Sequence, residues 1–482
     1  MIGCGIMKKD KLVFALFGLI LGLSVAYAAE LINSREVSFS NGASNLKANN
    51  VQDAIEELYD KTVSDSSCKN VSIPKLGEGL VPVTIENDGT VKYADTSKNW
   101  YNYCDKIWAN AVILEDNASY NTGDTISESD IQSYFVWIPK YKYKLWNVDT
   151  PSEGVHEIEI VFDETNTTDV EGVSCKTPMV SGESGNCNNG EYMTHPAFIS
   201  MGVNGFWVGK FETGYKGATN TAAAQVNTND TSKVIIKPNV YSWRGMTVKN
   251  IFETSYNYQR NLDSHMMKNT EWGAVSYLSH SKFGLGYELN INNNSSFKTG
   301  YSALPSTNQQ TYPGTNGDGQ TYNSAYNTDI GYLASTSRNI SGVYDMSGGA
   351  WEYVSAYITG QPGSSGFNTT TIANYNSKYF DIYSSSSAIT TYQYRILGDA
   401  TGEMGPFKQY LDGDNSSRNH SSWYGDYSDF VDSSNPWFYR CGHYTFGVLA
   451  GAFSFNSYTG GTHGYTGFRI VLIPKKGKIY EK

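Results

Sequence analysis

Charge is scarce in this 482-residue sequence. Asp, Glu, Lys and Arg make up 17% of it, and no basic block offsets a net charge of −11. Nucleic-acid binding needs clustered Lys and Arg to displace phosphate counterions, so that class of partner is set aside. Histidine is equally thin: seven residues are scattered, and no Cys/His spacing resembles a zinc site, which argues against a metal hydrolase. No internal repeat is visible, and the one long apolar run lies near the N-terminus. What is abundant is tyrosine (37) and glycine (47), with many Asn and Ser between them. Binding loops favour this mixture, because rigid amphipathic rings beside small polar groups give contact area at low entropic cost. A secreted β-rich protein without a ligand would share the composition, so composition alone leaves both readings open.

The apolar run spans residues 12–25. Lys8, Lys9 and Lys11 precede it and Ala26-Tyr27-Ala28 follows, the pattern of a secretory signal with a cut before Ala29. The run is short for a membrane span, and an uncleaved anchor is the alternative. The expected location is therefore secreted or cell-surface. Removing residues 1–28 leaves Cys68, Cys104, Cys175, Cys187 and Cys441, an odd set with at least one unpaired thiol. Cys175 and Cys187 flank a Gly/Ser/Asn-rich loop and are the easiest pair to join. Residues 29–70 read as a stalk and linker, in which Asn50 caps a helix with Val51, Ala54, Ile55 and Leu58 on one stripe. About three turns cannot stand alone in water. This helix must dock on the main domain or on copies of itself, making residues 50–62 a candidate homo-oligomer contact.

Residues 71–474 read as one loop-rich α+β domain with few helices, and 475–482 as a tail. Residues 80–91 (LVPVTIENDGTV) predict a hairpin, since Asn-Asp-Gly between β-branched runs is a turn signal. Residues 100–114 predict a second, aromatic hairpin. In residues 134–146, Tyr141, Tyr143 and Leu145 alternate with Lys140, Lys142 and Lys144, a strand with one wet face. Residues 206–211 (FWVGKF) predict another strand, ending at Glu212. Helices are expected over 266–282, capped by Asn269 or Thr270, and over 243–252.

The stretch that organises the rest is residues 342–353, GVYDMSGGAWEY. Asp345 and Glu352 lie either side of Gly348-Gly349, and a Gly-Gly turn can bring two carboxylates and inward carbonyl oxygens to one point. A hard cation such as calcium requires that donor set. The other reading is an acidic turn with Trp351 in the core and Glu352 paired to an arginine such as Arg469. The stretch resembles the YDMSGNVWEW signature of the formylglycine-generating enzyme (sulfatase-modifying factor) superfamily, a branch of the C-type lectin fold. Three further segments match in order: Phe135-Val136-Trp137-Ile138-Pro139, Asn269-Thr270-Glu271-Trp272, and Gly467-Phe468-Arg469-Ile470-Val471-Leu472. The resemblance covers about residues 100–474 and implies a C-type-lectin-like fold. It also implies a structural calcium on the Asp345 and Glu352 carboxylates and the Gly348 and Ala350 carbonyl oxygens.

The family's oxidising members bind copper through two nearby cysteines, because copper(I) needs soft thiolates at close range. Residues 437–461 contain one, Cys441, so no copper is expected and the resemblance implies a non-catalytic member. A Cys441–His443 thiolate–base pair would lack a third orienting group. The same region suggests display. Ala450, Ala452, Phe453, Phe455, Phe468, Ile470 and Leu472 read as framework, while His443, Tyr444, Phe446, Asn456, Tyr458, His463 and Tyr465 fall in Gly-punctuated turns, together with Thr445, Ser457, Thr459 and Thr466. This layout resembles the ligand-binding end of C-type-lectin-fold proteins diversified by retroelements. The expected function is exported, non-catalytic recognition of a protein or glycan through residues 440–466. An enzyme of the same family with altered chemistry and a structural surface or phage-like fibre component are the alternatives.

Overall fold

Short β-branched and aromatic runs punctuated by Gly and Asn become short strands joined by long loops. In a computed structural model, the residues described are 51, 70–146, 155–163, 189–304, 324–383, 396–401, 408–409 and 420–474. The chain divides into two units, Met1–Asp65 and Ser66–Lys482, and the sheets belong to the second. Residues 1–28, the 50–62 helix apart from Val51, Cys68, Cys175, Cys187 and the 475–482 tail lie outside the described residues. Cys104 is disulfide-bonded, and Cys441 is free.

Among the described residues two eight-stranded sheets dominate. The first runs His265–Met266, Ile470–Leu472, Gly205–Gly209, Ile131–Pro139, Asn110–Leu114, Val81–Ile85, Val91–Tyr93, Thr125–Ile126, every neighbour antiparallel. The second runs Asp381–Tyr383, Trp351–Ile358, Trp437–Cys441, Gly451–Tyr458, Tyr427–Ser428, His420–Ser421, Lys408–Gln409, and Thr466–Phe468 lies parallel on the Trp351 strand. The C-terminal strands therefore change sheets between Phe468 and Ile470, with Arg469 as the single residue at the crossover. Phe135, Val136, Trp137, Ile138, Phe206 and Trp207 are buried at the centre of the first sheet. Strands covered on both faces read as continuous apolar runs instead of alternating ones.

The 80–91 hairpin forms as expected, with Gly89 at φ 93° in its turn. Residues 100–114 differ. Asn102 and Ile107 close a tight turn by a single bridge, and only Asn110–Leu114 enters a sheet. The alternation in Tyr141–Lys144 holds, but Lys140 is buried and lies 3.6 Å from Asp163, so it is not on a wet face. The helix expected over 266–282 spans Asn269–Ser279 and begins at Lys268. The Asn269 amide donates to the Tyr383 hydroxyl, the Thr270 backbone N–H donates to the Asp381 carboxylate, and Glu271 accepts from the Lys268 N–H at 2.9 Å. The other helix starts later than expected, at Val248–Tyr258. Trp243 and Arg244 donate their backbone N–H to Thr213 and Ala224, and Thr247 caps through Asn250. Lys210, fully buried, donates to Asn110 Oδ1 and to the Ile340 and Gly342 carbonyls, three donors matched to three acceptors.

Candidate functional site

The approach to the Trp351 strand turns sharply. Asp345, Gly348 and Gly349 all occupy left-handed backbone, at φ 60°, 77° and 71°. A Cβ on Gly348 would lie 2.5 Å from the Asn292 carbonyl oxygen, and one on Gly349 would lie 2.3 Å from Glu212 Oε1. Glycine is thus required here by contact as well as by φ. Glu212 Oε1 accepts from the Ala350 N–H at 2.8 Å and fixes the turn against the end of the Gly205–Gly209 segment. Asp345 accepts from Asn292 Nδ2 (2.8 Å), Gly300 N (2.9 Å) and Glu212 N (3.3 Å). Glu352 takes a bidentate pair from Arg469, at 3.0 Å from Nε and 2.5 Å from Nη2. Arg469 also donates to the Gly209 and Tyr344 carbonyls. Ligand-type atoms of Glu212, Glu352 and Cys441 all lie within 4.8 Å of one another, and all three residues are buried.

Asp345 and Glu352 both lie within the field of Arg469, and each meets donors already. The Ala350 carbonyl accepts from Cys441 Sγ at 3.0 Å. Of the four expected calcium ligands only Gly348 has its carbonyl uncommitted in these contacts, and calcium takes six to eight oxygens. The four residues do not fit calcium. The other reading, Glu352 paired to Arg469, is the arrangement present.

Three buried carboxylates meet one guanidinium. Burial, reinforced by Asp345 and Glu352, raises the Glu212 carboxyl well above its ordinary range. Burial pushes Glu352 up to about 7 against the pull of Arg469. The bidentate pair favours ionised Glu352, so Glu212, with no ion pair among the described residues, is the carboxyl that keeps a proton. A carboxyl whose folded pKa exceeds its unfolded value stabilises most below the unfolded value, and the contribution is lost as pH rises through the folded one. Stability from this cluster should fall as pH rises out of the ordinary carboxylate range through neutral and beyond, because the folded values are raised. Glu212→Gln keeps an acceptor for the Ala350 N–H and removes the titration. Urea unfolding across that range should therefore show a flatter pH dependence for the variant than for the parent chain, and parallel curves would exclude Glu212 as the proton holder.

Above this cluster lies an aromatic circuit. Trp351 meets Tyr439 (4.4 Å between centroids), Tyr439 meets Tyr458 (6.2 Å), and Tyr458 meets His463 (5.2 Å). His463 meets Tyr465 (5.5 Å), Tyr465 meets His443 (5.0 Å), His443 meets Phe446 (4.4 Å), and Phe446 returns to Trp351 (4.8 Å). Tyr444 joins through Phe297 at 4.8 Å, and Asn456 faces Tyr439 across the ladder. His443, Tyr444, Phe446, Asn456, Tyr458, His463 and Tyr465 thus lie in one place. Tyr465 is the most open, at 41% exposure, and His443, Tyr444, Phe446, Asn456, Tyr458 and His463 are half-buried. Ser457 and Thr466 are buried instead, because Ser457 points away from Asn456 and Tyr458, and Thr466 closes a turn onto the His463 carbonyl. Two hydrogen bonds hang the face on the turn: Trp351 N to Tyr465 O (2.8 Å) and Tyr444 N to Gly349 O (2.9 Å).

Trp351, Phe297 and Arg244, all buried, and the half-buried Tyr439 complete the cluster. Arg244 stacks 3.8 Å from the Phe297 centroid and donates to the Thr221 and Gly464 carbonyls, which places its charge under the loop. Tyr439 carried a signal: it alone is half-buried in Trp437–Cys441, the outward position of a period-two strand. Burial pushes His443 down to about 4, so it is neutral at pH 7, and burial lowers His463 as well. Cys441 is buried and its thiol is pushed well up, which keeps it protonated. His443 Nδ1 contacts Thr445 Oγ1 at 3.0 Å, and among the described residues no bond joins it to Cys441. The thiolate–base pair is not assembled.

No protein-family model matches the chain, and no curated protein matches it. Among solved structures it is similar to the Major Tropism Determinant I1 Variant, at 11% identity over 85% of this chain and 97% of that one. The TM-score is 0.23, too low for the likeness to carry an argument.

Proposed function

We propose that this chain is an exported, non-catalytic recognition protein that holds a protein or glycan ligand on its aromatic circuit, presented by a C-type-lectin-like scaffold. The observation that supports it is the closed circuit of seven rings. Seven side chains from the Trp351 and Trp437 strands and the 442–466 region converge in one place; Trp351 is buried, and the other six are in the partly exposed state that aromatic contact residues need. A core would bury these rings completely, and an ordinary surface would disperse them.

The test is binding of the mature chain to a glycan array and a protein panel. Contact anchors each contribute about 2 kcal/mol or more on truncation. Replacing Tyr444, Tyr458 and Tyr465 together by alanine should lower affinity for any ligand found by at least about 100-fold, with the fold retained. Unchanged affinity would move the site off this face. No ligand at all, with a persistent oligomer, would favour the fibre component.

A further inference from the structure

We infer that Arg469 is the resident cation of the Asp345–Glu352 turn, so that neither the fold nor the recognition face needs calcium there. Four oxygens surround its guanidinium: both carboxylate oxygens of Glu352, at 2.5 and 3.0 Å, and the Gly209 and Tyr344 carbonyls, at 2.8 and 3.0 Å. Carboxylate and main-chain oxygens are what a hard cation would collect. Here they are collected by a planar fork of N–H donors whose geometry matches the carboxylate. Of the remaining oxygens of a calcium shell, the Gly348 carbonyl alone is uncommitted among the described contacts. Three backbone or amide N–H groups occupy Asp345, and the Cys441 thiol occupies the Ala350 carbonyl. A calcium ion at this point would have to displace the guanidinium from Glu352 and leave both positive charges in one buried space.

Position makes the substitution permanent. Arg469 is the residue between Thr466–Phe468, in the second sheet, and Ile470–Leu472, in the first. Moving its side chain away from Glu352 would pull on the point where the two sheets are joined. The turn that it clamps carries the Gly349–Tyr444 and Trp351–Tyr465 hydrogen bonds, so the face rests on an internal ion pair. The part of the inference that concerns recognition depends on the proposed binding role; the part that concerns the fold does not.

The full chain should show the same unfolding midpoint in millimolar calcium and in excess chelator, within about 1 °C. Any ligand captured on the face should stay bound in chelator. A calcium-induced rise of several degrees that Asp345→Asn abolishes would overturn the inference. A rise that persists in Asp345→Asn comes from another place on the chain and leaves Arg469 as the cation of this one. If Asp345→Asn does not fold, a rise in the parent chain counts against the inference by itself. The midpoint is measured without ligand, so failure to find a ligand and failure of this inference are separate outcomes.

Discussion

Arg469→Met is expected to destabilise the chain by about 3–5 kcal/mol, the cost of removing one partner from a buried ion pair. Methionine has a comparable length and no charge, so packing changes little and the electrostatic loss dominates. Glu352 is left without a donor on either oxygen, the Gly209 and Tyr344 carbonyls each lose one, and Asp345 loses the positive charge that acts on it. Proton uptake would relieve part of this, so the loss should be smaller at low pH. Urea unfolding gives the value directly. Adding Glu352→Gln to Arg469→Met should recover part of it, because a neutral amide tolerates burial better than an unpaired carboxylate. The exposed Lys98–Asp95 pair offers the contrast: breaking it should leave the unfolding free energy almost unchanged. A loss that small for Arg469→Met would mean that the cluster does not hold the sheet junction.

Local signals in the sequence located the hairpin at 80–91, the alternation at Tyr141–Lys144 and the glycines of the 348–349 turn. These depend on turn chemistry and period-two patterning, which a stretch of ten residues contains whole. The face was legible for a similar reason, since glycine-punctuated aromatic turns lie within one continuous segment. What surrounds Asp345 was not. Its donors come from Asn292, Gly300 and Glu212, which are 45 to 133 residues away and brought together only by sheet order. Phe297 and Tyr439 were hidden likewise, the first in a loop at φ 55° and the second in a strand whose outward side depends on register. The pairing of Glu352 with Arg469 could be written down as an alternative to calcium. Choosing between them needed the position of the crossover.

Gly349→Ala should be nearly as damaging as loss of the arginine, and for a reason that a matched control can isolate. At φ 71° an alanine pays about 1–2 kcal/mol in left-handed backbone. Its Cβ would also sit 2.3 Å from Glu212 Oε1, an oxygen already bonded to the Ala350 N–H, and overpacking of that kind costs about 1–3 kcal/mol more. Gly360 lies at φ 75° with nothing within 4 Å of where an added methyl would sit, so Gly360→Ala should show the backbone cost alone. Unfolding free energies for the two variants, measured side by side, should differ by about 1–3 kcal/mol in favour of Gly360→Ala. The face provides a second readout. Gly349 supplies the carbonyl for Tyr444 N, and Trp351 beside it anchors Tyr465, so a displaced turn should weaken ligand capture at temperatures where Gly349→Ala is still folded. Equal costs for the two variants would show that Glu212 yields freely. The turn would then be held by its glycines, and the buried carboxylate would lose its place as the support beneath the aromatic circuit.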